Sequence, residues 1–123
     1  MGSARQPIDA NDRSLQELAA LLRVVAHPVR LAILASLLTG VKCVKELNEP
    51  ISVSQPNLSQ HMSALRQAGL VDCESRGALR CYYLLRPSLV KHLLETKPAQ
   101  HPTKPRSRES VLAELNASAQ QDI

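Results

Sequence analysis

Ser54-Gln-Pro-Asn-Leu-Ser-Gln-His-Met-Ser-Ala-Leu-Arg-Gln-Ala-Gly-Leu-Val71 reads as a helix with both of its ends specified locally. Ser54 can cap the start, because its hydroxyl accepts a backbone N–H that has no partner inside the helix, and Gly69 supplies the stop just past Ala68. Placed at about 100° intervals, Leu58, Met62 and Leu65 share one face. The opposite face carries Pro56, Ser59, Gln60, Ser63 and Gln67, with Gln55 and Asn57 exposed near the amino end. It is a face of amides and hydroxyls without formal charge. Amides pair bidentately with adenine in the major groove and hydroxyls pair with several bases, while phosphate neutralisation is left to cations elsewhere. Gln55, Asn57, Ser59, Gln60 and Ser63 are therefore the candidate base readers on double-stranded DNA. An isolated solvated helix can carry the same composition, so its neighbours decide the reading.

Upstream, a short helix starts near Val44, turns Val44 and Leu47 inward and is cut short by Pro50 around Asn48 or Glu49, since proline has no N–H to donate. Downstream, the period changes from helical to alternating. Leu70 to Ser75 and Leu79 to Leu85 read as a β-hairpin around Arg76-Gly77-Ala78. A short helix, a tight connection, a long capped helix and a hairpin with an Arg-Gly tip follow the order of a winged helix-turn-helix, whose second helix enters the groove. Arg76 and Arg80 on the wing, and Lys42 and Lys45 beside the short helix, are the candidate phosphate or minor-groove contacts.

The remaining elements make the fold mainly α with a small hairpin wing, in the order α-α-α-α-β-β-α. Residues 1–13 are polar and irregular. Ser14 and Glu17 have the spacing of a capping box at the first helix. Leu15, Leu18, Ala19, Leu22 and Val25 fall on one side of that helix, and Ala20, Leu21 and Val24 form a second apolar patch. A helix apolar on two sides needs two partners, its own domain and either a second copy of the chain or a larger intrachain core; the second copy is the expectation, and charge at Leu21 or Val24 would then break a homodimer. Pro28 opens a helix over residues 28–38, and another follows Pro87, with Leu89, Val90, Leu93 and Leu94 inward. The domain spans 14–95. Residues 96–123 form a basic, proline-containing linker and a marginal terminal helix with Val111, Leu112 and Leu115 on one side.

A chain of 123 residues is about one domain's worth. Its two tyrosines, with no Phe and no Trp, leave the core to Leu, Val, Ile and Ala, which suits packed helices. Net charge is +4 with a pI near 9.3, compatible with a polyanionic partner. No phosphate loop, complete metal triad or nucleophile spaced from an activating base is recognisable, so no enzyme is expected. No stretch approaches the roughly 20 apolar residues of a membrane span and no signal peptide is evident, which leads to the expectation of a cytoplasmic protein. The three cysteines, Cys43, Cys73 and Cys81, form no C-x-x-C pair and no even-numbered framework.

Over about residues 14 to 95 the chain resembles the ArsR/SmtB family of metal- and redox-responsive repressors. The resemblance is carried by Ala26-His-Pro-Val-Arg-Leu-Ala-Ile-Leu34, Val44-Lys-Glu-Leu47, the Ser54–Val71 segment and Tyr82-Tyr83-Leu84. It implies a homodimer, held by the first and last core helices, that leaves its operator when an inducer binds. The sensor patterns of the family are incomplete here. Cys43 matches the first cysteine of the Cys-Val-Cys arsenic motif, but Lys45 replaces the second and Asn48 a further one. Of the zinc pattern on the last helix only His92 and Glu95 are present, two ligands where four are needed. A shared thiol site built from Cys43, Cys73 and Cys81 is expected instead. With a three-residue hairpin loop, Cys73 and Cys81 lie directly opposite, and Cys43 sits where a short extra strand would join the sheet. No motif requires a cofactor. Three thiolates would suit a thiophilic ion such as arsenite, and two would suit oxidation or persulfide chemistry. The alternatives are three separately buried cysteines, a constitutive repressor without ligand, and a winged-helix protein-interaction module that does not bind DNA.

Overall fold

The computed structural model describes residues 7–98 and 105–121. Among these lie six helices and three strands: α1 (Arg13–Val25), α2 (Pro28–Leu37), β1 (Lys42–Cys43), α3 (Val44–Asn48), α4 (Gln55–Gln67), β2 (Val71–Arg76), β3 (Leu79–Leu84), α5 (Pro87–Glu95) and α6 (Arg108–Gln121). The architecture is the expected winged helix-turn-helix, with β1 added to the wing to give an antiparallel sheet of order β1-β3-β2. Residues 1–6 of the stretch read as irregular, and 99–104 of the linker, lie outside the described residues.

α2 is apolar on most sides and accordingly takes the centre. Its Ile33, Leu34 and Leu37 are buried with Leu47 of α3, Leu58, Met62 and Leu65 of α4, Val71 and Tyr82 of the wing, and Val90 of α5. Of the residues expected inward on α5, Val90 is fully buried and Leu89, Leu93 and Leu94 pack half-buried against the same core. α6 stands apart in character, since Val111, Leu112 and Leu115 are all exposed.

The start of α1 differs from the capping box read in the sequence. Asp12 is the cap, its carboxylate accepting the Ser14 N–H at 2.8 Å and the Ser14 hydroxyl at 2.7 Å. Ser14 therefore lies inside the first turn, and Glu17 pairs with Arg13 at 3.3 Å on the surface. A carboxylate is the stronger acceptor at the positive end of a helix, which explains why it displaces a serine. The Ser14 hydroxyl, and then its backbone N–H, hold the Asp12 carboxyl below the usual aspartate range.

The two apolar sides of α1 do not divide as the periodicity suggests: Val25 and Ala19 of the first side are buried and half-buried, and Ala20 of the second is exposed. Leu21 and Val24 pack half-buried on the core with buried Val25, whereas Leu15, Leu18 and Leu22 are 40%, 47% and 45% exposed. Helical periodicity shows that two apolar sides exist; which residues meet the domain depends on how α1 crosses α4.

α4 matches its sequence reading in detail. The Ser54 hydroxyl accepts the Asn57 N–H at 3.4 Å. At the other end Gly69 adopts φ +73°, a conformation costly for any residue with a Cβ, and the chain closes with Leu70 N–H to Leu65 O and Gly69 N–H to Arg66 O, each at 3.0 Å. These are the paired bonds of a Schellman stop, and Leu65 and Leu70 are both fully buried beneath it.

The hairpin is one residue tighter than expected. Arg76 pairs with Leu79, leaving only Gly77-Ala78 as the loop, with Gly77 at φ +60° in the first central position of a two-residue turn. Cys73 then faces Tyr82, and Glu74 faces Cys81. Burial selects this register. It places Val71, Tyr82 and Leu84 together on the inner side of the sheet, whereas a slip by one would turn Tyr82 outward opposite Asp72.

Candidate nucleic-acid interface

All five predicted readers, Gln55, Asn57, Ser59, Gln60 and Ser63, are exposed along α4, while Leu58, Met62 and Leu65 fix the opposite face in the core. A cleft of about 580 Å³ opens between α3, the amino end of α4 and the wing. It brings Gln55 and Ser59 together with Lys45 and Arg80, and it is completed by Cys43, Asn48, Leu79 and Tyr82. Asn57 and Gln60 lie on the helix outside this cleft, and Ser63 lines a separate hollow with Arg66 and Asp72. Uncharged amides and hydroxyls and the cations Lys45 and Arg80 thus share one surface, the combination of groups that duplex recognition uses.

The four predicted phosphate contacts fall in three places. Lys45 and Arg80 share the cleft. Arg76 instead lines a hollow with Val41, Glu74, Cys81 and Tyr83, because Arg76 and Arg80 fall on opposite faces of the hairpin once its register is set. Lys42 is half-buried on β1, paired with Tyr82. Arg80 is pre-positioned by its neighbours: its Nε donates to Cys73 Sγ at 3.4 Å and its guanidinium carbon lies 5.9 Å from the Tyr82 ring centroid. The Cys73 sulfur, and secondarily Tyr82, raise its pKa above the usual arginine value, so it stays cationic.

The same register corrects the proposed three-cysteine site. Cys43 pairs directly with Cys81 across β1 and β3, their Cα atoms 3.9 Å apart, and the two sulfurs form a disulfide. Cys73 is free on the inner face, against Arg80. Alternating side chains put it across the sheet from the pair, so a three-thiolate arsenite site is not assembled. Among the described residues no group of three or more His, Cys, Asp or Glu is placed to hold a metal ion. His92 is exposed and bonds the Ser88 carbonyl one turn back at 2.7 Å.

Sequence reasoning missed three kinds of contributor. Asn48 lines the cleft with a buried Oδ1 that has no partner among the described residues. Arg66, the cation on the outer half of α4, pairs with Asp72 at 3.3 Å. Arg30 of α2 reaches His61 of α4 at 3.1 Å. The first two could have been found from the α4 helical wheel and the α3–α4 spacing; the third has no local signal.

Comparison with known proteins agrees with this geometry. A family model described as bacterial regulatory protein, arsR family, matches residues 27–72, from the start of α2 into β2. The biofilm growth-associated repressor of Agrobacterium fabrum is 37% identical over 89 residues, which cover 72% of this chain and 75% of that protein. A structure of reduced HlyU from Vibrio cholerae is similar with a TM-score of 0.67 and 29% identity, covering 78% of this chain and 100% of that one. The transcriptional repressor BigR from Xylella fastidiosa gives 0.64 and 32%, covering 76% and 95%. Shared identity spanning most of both chains, on one common fold, establishes that this chain belongs to the arsR family of bacterial regulatory proteins.

Proposed function

We propose that the protein is a homodimeric, cytoplasmic, non-enzymatic transcriptional repressor that reads operator DNA with α4 and releases it when a thiol pair is oxidised. The observation that carries the DNA reading is the exposed, uncharged amide and hydroxyl face of α4 beside the Lys45 and Arg80 cleft. Repression is supported by the repressors to which the chain is similar.

Gln60→Ala is expected to weaken binding to a selected operator by about 1–3 kcal/mol, with little change on random duplex, because a bidentate base contact is lost. Lys45→Ala and Arg80→Ala should weaken both and flatten the salt dependence. Fluorescence anisotropy on the two duplexes at several salt concentrations reads all of this. Equal losses for Gln60→Ala on both duplexes would remove its reading role, and salt-independent or absent duplex binding by the wild type would favour a protein-interaction module.

For sensing, the supporting geometry is the Cys43–Cys81 pair, which joins the strand leading into α3 to the wing. Cys81 adjoins Arg80, and Cys43 caps the helix that carries Lys45. Oxidation by a peroxide removes two electrons and two protons from the two thiols, forms the S–S bond and yields two waters from hydrogen peroxide. The bridge would hold both cleft cations in one relative position. Peroxide is expected to release wild-type protein and Cys73→Ser from the operator, with recovery on adding dithiol, while Cys43→Ser and Cys81→Ser stay bound. A release that persists in those two variants would exclude the pair as sensor.

A further inference from the structure

The junction of α1, α2 and α4 carries a half-buried polar connection at the edge of the apolar core. In a continuing helix the Val24 carbonyl would receive the N–H of residue 28, but that residue is Pro28 and has none. Arg30 takes its place: one terminal guanidinium nitrogen donates to Val24 O at 2.9 Å, and Nε donates to His61 Nδ1 at 3.1 Å. His61 follows Gln60 directly on α4. Its ring lies 4.4 Å, centroid to centroid, from that of His27, whose own Nδ1 caps α2 by accepting the Val29 N–H at 3.1 Å. Both Nδ1 atoms act as acceptors, so both imidazoles in this arrangement are neutral and carry their proton on Nε2.

We propose that Arg30 and His61 are positioning residues for DNA readout, a neutral His61 accepting Arg30 so that the reader helix α4 is pinned to the end of α1, and that protonation of His61 undoes the pin. The inference rests on α4 being the reader. The groups that face His61 are Arg30 and His27, both from the α2 side; α1 contributes the Val24 carbonyl through Arg30, and the neighbours of His61 on α4, Gln60 and Met62, carry no charge. Burial, then His27 and Arg30, lower the His61 pKa from its ordinary 6.5. A lowered value means that the pinned arrangement is fully favoured above the ordinary value and is lost as pH falls through the folded one. Operator affinity should therefore fall on acidification. Added positive charge alone would do the opposite, strengthening attraction to phosphate, so the sign is diagnostic.

The test measures anisotropy of a labelled duplex, selected from a random pool by the wild-type protein, from about pH 8 to about pH 5 at constant ionic strength. Wild type should lose roughly tenfold, the size of one charge-assisted hydrogen bond, and His27→Asn, which keeps a capping oxygen, should lose as much. Arg30→Lys, which keeps the charge but cannot span both acceptors, should bind roughly tenfold more weakly even at the upper pH. His61→Asn offers an untitratable acceptor near the position of Nδ1; it should bind more tightly than His61→Leu at the upper pH and show no fall on acidification. Thermal melting of each variant separates loss of fold from loss of positioning. Flat or rising wild-type affinity at low pH, a fall in His61→Asn parallel to wild type, or full affinity in Arg30→Lys each overturns the proposal. A wild type that binds no duplex at any pH overturns the DNA reading itself, and this inference with it.

Discussion

Glutamate in place of Leu22 is expected to leave the protein folded, monomeric, and bound to its operator about 10²–10⁴-fold more weakly. Leu15, Leu18 and Leu22 follow one another at helical spacing along α1 and remain about half exposed, an arrangement an isolated small domain gains nothing by keeping. Leu22 also borders an apolar groove of about 340 Å³ whose other walls include Leu93 and Leu94 of α5, so the first and last core helices present one continuous apolar surface. A second copy of the chain can cover that surface by two-fold symmetry, each α1 meeting its equivalent. An unpaired carboxylate placed there must be desolvated when the copies meet, which costs several kcal/mol and would dissociate the pair. Loss of affinity then follows without any damage to α4, because two linked reading helices bind more tightly than one by the avidity factor quoted. Sedimentation velocity combined with operator titration measures both effects. A Leu22→Glu protein that sediments like the wild type, or a wild type that is monomeric at micromolar concentration, would remove the dimer through this surface. Glutamate at Leu21 or Val24 should behave differently, lowering the melting temperature, since those side chains pack on the core.

Leu65→Ala should destabilise the fold by about 2–5 kcal/mol and lower the melting temperature by about 10–30 °C, the largest stability effect expected on α4. Leu65 is fully buried, and it anchors the last turn of the helix twice: its side chain lies in the core, and its carbonyl accepts the Leu70 N–H that closes the Schellman stop. Deleting its isobutyl group removes transfer energy and leaves a cavity between α2, α4 and the wing, which a close-packed interior fills only in part. Against a total stability of about 5–15 kcal/mol for a domain of this kind, the folded population becomes marginal. Gln60→Ala, on the outer face of the same helix, should change stability by no more than about 0.5 kcal/mol while changing operator affinity. Thermal melting followed by circular dichroism compares the two. A Leu65→Ala midpoint within a few degrees of wild type would mean that this face of α4 does not carry the packing assigned to it.

What the sequence determined by itself are the features written in a few adjacent residues. Pro28 and Pro50 set helix boundaries because proline lacks an N–H, Ser54 and Gly69 specify the two ends of α4 by local hydrogen bonding and backbone freedom, and the spacing of Leu58, Met62 and Leu65 separates the buried face of that helix from the outward face with Gln55, Asn57, Ser59, Gln60 and Ser63. Winged helix-turn-helix order and the outward amide and hydroxyl face of α4 follow from these signals. Only the tertiary structure decided which apolar residues of α1 are buried, since periodicity counts sides without saying what will cover them. It also decided the hairpin register, where burial of Val71, Tyr82 and Leu84 against distant helices outweighed the three-residue loop and moved Cys81 from Cys73 to Glu74, and it decided the pairing of β1 with β3 that sets Cys43 against Cys81. The Arg30–His61 connection belongs with these, because its partners lie 31 positions apart and meet only after α2 and α4 have packed. Side chains that act through such long-range contacts carry no local pattern, so their pairing appears only when the core that brings them together has formed.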